Sequence, residues 1–185
     1  MSEESAVDRL YTESIGIIQA LAGEPSLQSA AGDNFRKSLL LASASHFEHR
    51  LTKLVLEFAA EATKGSKLIG HLIRTKAIDR QYHAWFDWDK NNANKFFSLF
   101  GPDFRTRMTN LITARDDLRG AMLAFLELGN DRNRLVHQDY ATFPLEKTLD
   151  EIYGKYKQAL PFINALPTEL RECDMVTRET QLGSA

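Results

Sequence analysis

Apolar residues recur at helical spacing along almost the whole chain, and the breaks between the runs define the elements. From residue 6 to about residue 22, Leu10, Ile17, Ile18 and Leu21 fall on one face until Gly23 and Pro25 stop the pattern, which predicts a first helix. The small, polar stretch 26–33 reads as a linker. A long stripe follows through Leu40, Ala44, Phe47, Leu51, Leu54, Val55 and Phe58, in steps of three and four, ending near Gly65. Leu68, Leu72 and Ile73 mark a shorter pattern, and the aromatic stretch from Tyr82 to Trp88 reads as a loop or turn packed on the core.

After Asp89, the residues Phe96, Phe97, Leu99 and Phe100 suit a short helix closed by Gly101 and Pro102. Helical period then runs from Phe104 through Met108, Leu111, Leu118, Met122, Phe125 and Leu126 to Gly129. Gly129 is either a C-terminal cap, with a new helix from Asp131, or an interior glycine that admits a close backbone or a phosphate. Continuity through it is the reading adopted. Pro144 interrupts, and Leu149, Ile152, Tyr153, Tyr156, Leu160 and Ile163 form a last amphipathic helix, followed after Pro167 by a polar, flexible tail over 167–185. No alternating strand pattern, internal repeat or low-complexity tract competes. The expected fold is all-α: one domain over residues 1–166, a bundle of about five to six helices.

Composition narrows what such a bundle does. With 185 residues and 43% hydrophobic content, one well-packed core is expected. Lysine plus arginine (23) nearly balance aspartate plus glutamate (25), a formal charge of -2, so any nucleic-acid contact must use a local basic patch. The single cysteine, Cys173, excludes an internal disulfide framework and a thiolate metal cluster, and it fits a reducing compartment. No apolar run approaches the roughly 18 residues that span a bilayer. The acidic start at residues 1–4 also lacks the basic flank of a signal peptide, so a soluble cytoplasmic protein without a membrane partner is expected. His46 and His49, three apart, lack a third ligand, so no metal site is expected.

Candidate chemistry concentrates in one segment, Asp131-Arg132-Asn133-Arg134-Leu135-Val136-His137-Gln138-Asp139-Tyr140. An arginine clamps a phosphate while a nearby histidine moves a proton near neutral pH, the minimum for cleaving RNA without a metal. On a helix, Asn133 and His137 share a face, and Arg132 and His137, five apart, flank it at roughly 140°, taking about 100° per residue. They need not touch: they can grip different parts of a phosphodiester, or a local distortion can close the offset. Arg134 and Gln138 pair on a neighbouring face, either as phosphate contacts or as a solvated polar face. Tyr140 stands near enough for a base or dimer contact. Trp85 and Trp88 could stack on unpaired bases, but loop aromatics in an α-protein more often close its core, so they are left outside the site.

An Arg four to six residues before a His is expected by chance about once in a chain of this composition, so context supplies the weight. Arg132 and His137 form the only such pair, Asn133 follows Arg132 directly, and an amphipathic helix follows in an all-α chain. The combination resembles the HEPN superfamily, and most closely its RiboL-PSP-type branch. Two further features carry the likeness: Ser43 and Glu48 within Ser43-Ala44-Ser45-His46-Phe47-Glu48 on the long early helix, and the stretch Asn94-Lys95-Phe96-Phe97-Ser98-Leu99-Phe100-Gly101 ahead of the motif helix. The resemblance covers about residues 34–160 and leaves out the first helix and the tail. It implies a HEPN-like bundle and an endoribonuclease that cuts single-stranded RNA with neither metal nor cofactor. The product it implies is a 2′,3′-cyclic phosphate, and the roles are those of a toxin, an antiviral effector or an RNA-processing enzyme.

The chemistry assigns roles on that reading. The 2′-hydroxyl must lose a proton as it attacks phosphorus, the departing 5′-oxygen must gain one, and charge builds on the phosphoryl oxygens. His137 is the expected proton-transfer group, Arg132 the phosphate clamp, and Asn133 either orients the histidine or contacts a phosphate oxygen. Glu48 either fixes the His137 tautomer or anchors Arg132, or else it is a surface carboxylate paired locally with Thr52 or Lys53. One histidine is short of two proton transfers, and the resemblance implies a homodimer whose motif helices meet near the two-fold axis. It also implies a nucleotidyltransferase-type antitoxin as a partner to look for. Two other readings stay open: a HEPN-fold module that binds RNA or a nucleotide without catalysis, and a helical interaction protein in which the motif is an accident.

Overall fold

Pro25 opens a helix rather than ending one. The computed structural model describes residues 4–183, apart from the side chains of residues 178 and 180–183, so residues 1–3 of the acidic start and 184–185 of the expected tail lie outside it. Helix α1 spans Ala6–Ala20 and starts on a capping box: Ser5 Oγ accepts from the Asp8 backbone N–H at 3.2 Å, and Asp8 accepts from the Ser5 N–H at 2.8 Å. Helix α2 runs Pro25–Ala62. A proline at the first helical position loses no needed donor and its φ is already helical, so the expected linker at 26–33 is helix instead. Gln28 reaches back to donate to the Ile18 carbonyl at 3.0 Å, tying the two helices at their junction.

Helix α3 (Lys67–Ile73) passes through a single π-helical turn, Arg74–Ile78, and a short 3₁₀ turn at Tyr82–Ala84 leads to α4 (Asn94–Ser98) and α5 (Pro102–Ala114). Helices α6 (Asp116–His137) and α7 (Leu149–Gly183) complete the chain. The described residues thus form seven α-helices, where the pattern suggested five to six. The long period from Phe104 to Leu126 is two helices, not one, with Arg115 extended between them at φ -128 and ψ 99. An apolar side chain is missing where the stripe needs one near position 115, and Arg115 pairs instead with Asp117 at 2.6 Å.

The last helix is longer than its prolines suggested. Helix α7 carries Pro161 and Pro167 internally and continues past the expected end near residue 167. An interior proline costs about 3 kcal/mol. Against that cost, Leu166 and Leu170 are buried, each contributing about 1.5–3 kcal/mol. Arg107 pairs with Glu169 at 2.7 Å and also with Glu172, and Arg171 pairs with Glu61 at 2.8 Å, fixing this stretch to α5 and α2.

Helices α2, α6 and α7 pack on one another, with α1 against α2 and α5 beside α6 and α7. Where the three long helices meet, Phe47 lies 5.6 Å from Phe125 and 5.3 Å from Tyr156, and Phe125 lies 5.6 Å from Phe162, ring centre to ring centre. The buried side chains of all these helices form one continuous cluster. Among the described residues, no helix is long and apolar enough to cross a membrane.

Candidate functional site

Helix α6 is unbroken through Gly129, so Phe125, Gly129, Arg132, Asn133 and, one turn on, His137 lie along one face. The face is built around Trp88. A Cβ at position 129 would stand 1.9 Å from Trp88 Cζ3, so only glycine admits the indole here, and the close neighbour is a side chain rather than a backbone or a phosphate. Mid-helix, alanine is otherwise the better residue by about 1 kcal/mol. Gly129→Ala is therefore expected to reverse that sign and destabilise the protein by about 1–3 kcal/mol through overpacking, as measured by urea unfolding. A more stable Gly129→Ala protein would contradict the placement of Trp88.

Trp88 in turn fixes a residue that sequence reasoning passed over. Its Nε1 donates to the His83 carbonyl at 3.0 Å, and His83 Nδ1 lies 3.4 Å from Arg132 Nη1. Arg132 Nη1 also donates to Asn133 Oδ1 at 3.2 Å, so Asn133 steadies the arginine. Phe47, Glu48, Tyr82, His83, Trp88 and Arg132 line a small cavity between α2, the 3₁₀ turn and α6. His83 is 49 residues from Arg132, and no spacing rule links them. Its only sequence signal was a place inside an aromatic stretch too apolar to be an ordinary surface loop. The two tryptophans part company: Trp85 is buried and donates to the Ala77 carbonyl at 3.0 Å, closing the core as expected, whereas Trp88 borders the site.

The cavity is lined by one guanidinium and one carboxylate that do not pair. Among the described residues, no ion pair joins Arg132 to a carboxylate, although Glu48 lines the same cavity. Thr52 Oγ1 bonds the Glu48 carbonyl at 2.8 Å rather than its carboxylate, and Lys53 pairs with Glu57 at 3.7 Å, so the local pairing that would hold Glu48 at the surface is not formed. Partial burial, with the charge of Arg132 next, holds the His83 imidazole below its ordinary value, against the opposite pull of Glu48. Burial pushes the Tyr82 hydroxyl up, with Glu48 adding to the effect and Arg132 opposing it, so Tyr82 stays neutral.

The other candidate residues sit around this centre. His137 is exposed in the last turn of α6. Arg134 turns away from the cavity, 3.8 Å from Asp131 and with its guanidinium 5.6 Å from the Phe143 ring centre. Gln138 caps α6, its N–H donating to the Arg134 carbonyl at 3.2 Å. The Tyr140 carbonyl accepts from the buried Lys37 Nζ at 3.0 Å, and that ammonium lies 5.3 Å from the Tyr140 ring centre. Ser43 is fully buried with no partner for its Oγ and does not line the cavity. The fold thus gathers Glu48, Arg132 and Asn133, sets His137 one turn beyond them, and leaves Arg134, Gln138 and Tyr140 toward the following loop.

That loop is fastened by an ion network. Lys147 reaches Asp131 at 2.6 Å and Glu127 at 2.9 Å, and Lys155 reaches Glu127 at 2.7 Å. Burial works against the Lys147 charge, and the two carboxylates outweigh it, raising its pKa. Asp131→Ala leaves this half-buried ammonium short of a partner and is expected to cost about 1–3 kcal/mol, read from the unfolding midpoint. An unchanged midpoint would mean that the network does not hold the loop. His46 packs edge-on against Tyr156 at 5.6 Å, and burial, then Arg50 and His49, hold its imidazole below the usual value. Among the described residues, no group of three or more His, Cys, Asp or Glu side chains comes together to hold a metal ion.

Comparison with known families matches residues 10–172 to the family described as RiboL-PSP-HEPN. The chain belongs to the RiboL-PSP-HEPN family. The matched stretch runs beyond residues 34–160 at both ends, taking in most of α1 and α7 as far as Glu172. HEPN domains are all-α, often bind RNA and often dimerise, which places this chain among RNA-related modules. Comparison with curated proteins and with solved structures found no match.

Proposed function

We propose that this RiboL-PSP-HEPN chain is a metal-independent endoribonuclease that cleaves single-stranded RNA by attack of the 2′-hydroxyl, giving a 2′,3′-cyclic phosphate and a 5′-hydroxyl. The observation that carries the reading is Arg132, a guanidinium without a carboxylate partner among the described residues, standing in a cavity beside an imidazole. An RNA phosphate supplies the direct ion partner that Glu48 does not. Arg132 holds it and stabilises the charge that grows on the phosphoryl oxygens, Asn133 keeps the guanidinium aimed, and His137 transfers a proton at the end of the same helix face.

The chain acts as a homodimer through its motif helices. Val136 and Tyr140, 42% and 40% exposed beside His137, supply apolar surface for that contact. In the cytoplasm such an enzyme serves as a toxin or antiviral effector, or in RNA processing, and a nucleotidyltransferase-type antitoxin is the partner to seek. Expression of the wild-type protein is expected to slow host growth and fragment cellular RNA, and His137→Ala to do neither. Equal growth with the two proteins would remove the toxin role.

A further inference from the structure

We infer that His83 is a second catalytic residue, the general base of the cleavage reaction, so that one chain holds both proton-transfer groups. The inference rests on the ribonuclease reading and deepens it. Two proton transfers need two groups, and a second His137 from a partner chain was the expected source of the other. The fold offers a nearer one. His83 Nδ1 and Arg132 Nη1 are 3.4 Å apart and the imidazole is exposed, so a phosphate that Arg132 holds from the solvent side lies next to it.

The surroundings of His83 suit a base. Arg132 faces it from α6 and His137 from the end of the same helix, Glu48 faces it from α2, and the Tyr82 ring lies edge-on with its centre 5.6 Å away. A guanidinium only donates hydrogen bonds, so the Arg132 contact requires a lone pair on Nδ1 and leaves the proton of the neutral ring on Nε2. Partial burial first and the Arg132 charge next disfavour the imidazolium and outweigh the opposite pull of Glu48, so the neutral ring that can accept a proton is favoured. Trp88, seated on Gly129, holds the His83 backbone, so the imidazole is positioned by a packed element rather than a free loop.

The step balances. RNA takes up the Arg132 N–H groups and frees Nδ1, which removes the 2′-hydroxyl proton. The 2′-oxygen bonds to phosphorus, the bond from phosphorus to the 5′-oxygen breaks, and the 5′-oxygen takes a proton from the imidazolium of His137. His83 ends protonated and His137 neutral, and exchange with water restores both.

The test uses single-turnover cleavage of a labelled single-stranded RNA oligonucleotide containing every dinucleotide step, with chelator present and across a range of pH. The proteins are the wild type, His83→Ala and His83→Gln, the last keeping a side-chain oxygen that can still accept from Arg132. Both variants are expected to cut about 10²-fold or more slowly at unchanged RNA affinity. His83 must be neutral to act, so the wild-type rate should rise with pH through a midpoint below the usual imidazole value of about 6.5, and both variants should lose that rise. Equal cutting by His83→Gln with the same pH dependence, or a loss explained wholly by weaker RNA binding, overturns the assignment while leaving the ribonuclease reading standing. No cutting by the wild type overturns both.

Discussion

Replacing His137 with alanine is expected to lower the rate of RNA cleavage by about 10²- to 10⁴-fold, the range of a lost proton-transfer group. RNA affinity and stability should stay near those of the wild type, because the side chain is exposed in the final turn of α6 and its truncation opens no cavity in the core. Single-turnover rates with chelator present separate this effect from slow product release. A His137→Ala protein that cuts as fast as the wild type would remove His137 from the reaction and the HEPN motif from the mechanism.

Arg132→Ala should be equally damaging but in a different way. Removing the guanidinium takes away a phosphate contact and a donor to the transition state, for an expected loss of about 10²- to 10³-fold in rate together with weaker RNA binding. The substitution also removes a positive charge beside His83, so the imidazole should titrate at higher pH than in the wild type, although burial, the larger cause, remains. Arg132→Lys is not expected to restore activity, since Nη1 alone serves Asn133 and His83 and an ammonium lacks the guanidinium's further N–H groups, which would grip a phosphate bidentately. Full activity in Arg132→Lys would mean that charge alone is needed at this position.

The all-α fold and the motif face were legible because they depend on periodicity. Leu40, Phe47, Leu51 and Leu54 keep the helical step on α2 and are buried, and Phe125, Gly129, Asn133 and His137 keep it on α6 from the buried core out to the exposed end of the helix. Glu48 was legible only through the family likeness. The errors fall where one local signal had two physical readings. Pro25 reads as a stop when judged by what precedes it and as a start when judged by its place in α2. Pro167 reads as a terminus until the burial of Leu170 beyond it is known. Arg115 is an inconspicuous gap in an apolar period until its extended backbone separates α5 from α6. His83 was out of reach for a different reason: its partner lies 49 residues away and meets it only because Trp88 fits against a glycine. Local patterns carry no record of such a meeting.

Ribonuclease chemistry at Arg132 and His137 is tested most directly by the ends of the RNA products, read by mass spectrometry after digestion of a single-stranded oligonucleotide by the wild-type protein in chelator. The expected fragments carry a 2′,3′-cyclic phosphate upstream of the cut and a 5′-hydroxyl downstream, and they are missing from the His137→Ala digest. Fragments ending in a 3′-hydroxyl and a 5′-phosphate, or cleavage that begins only when a divalent metal is restored, would contradict attack by the 2′-hydroxyl at this site.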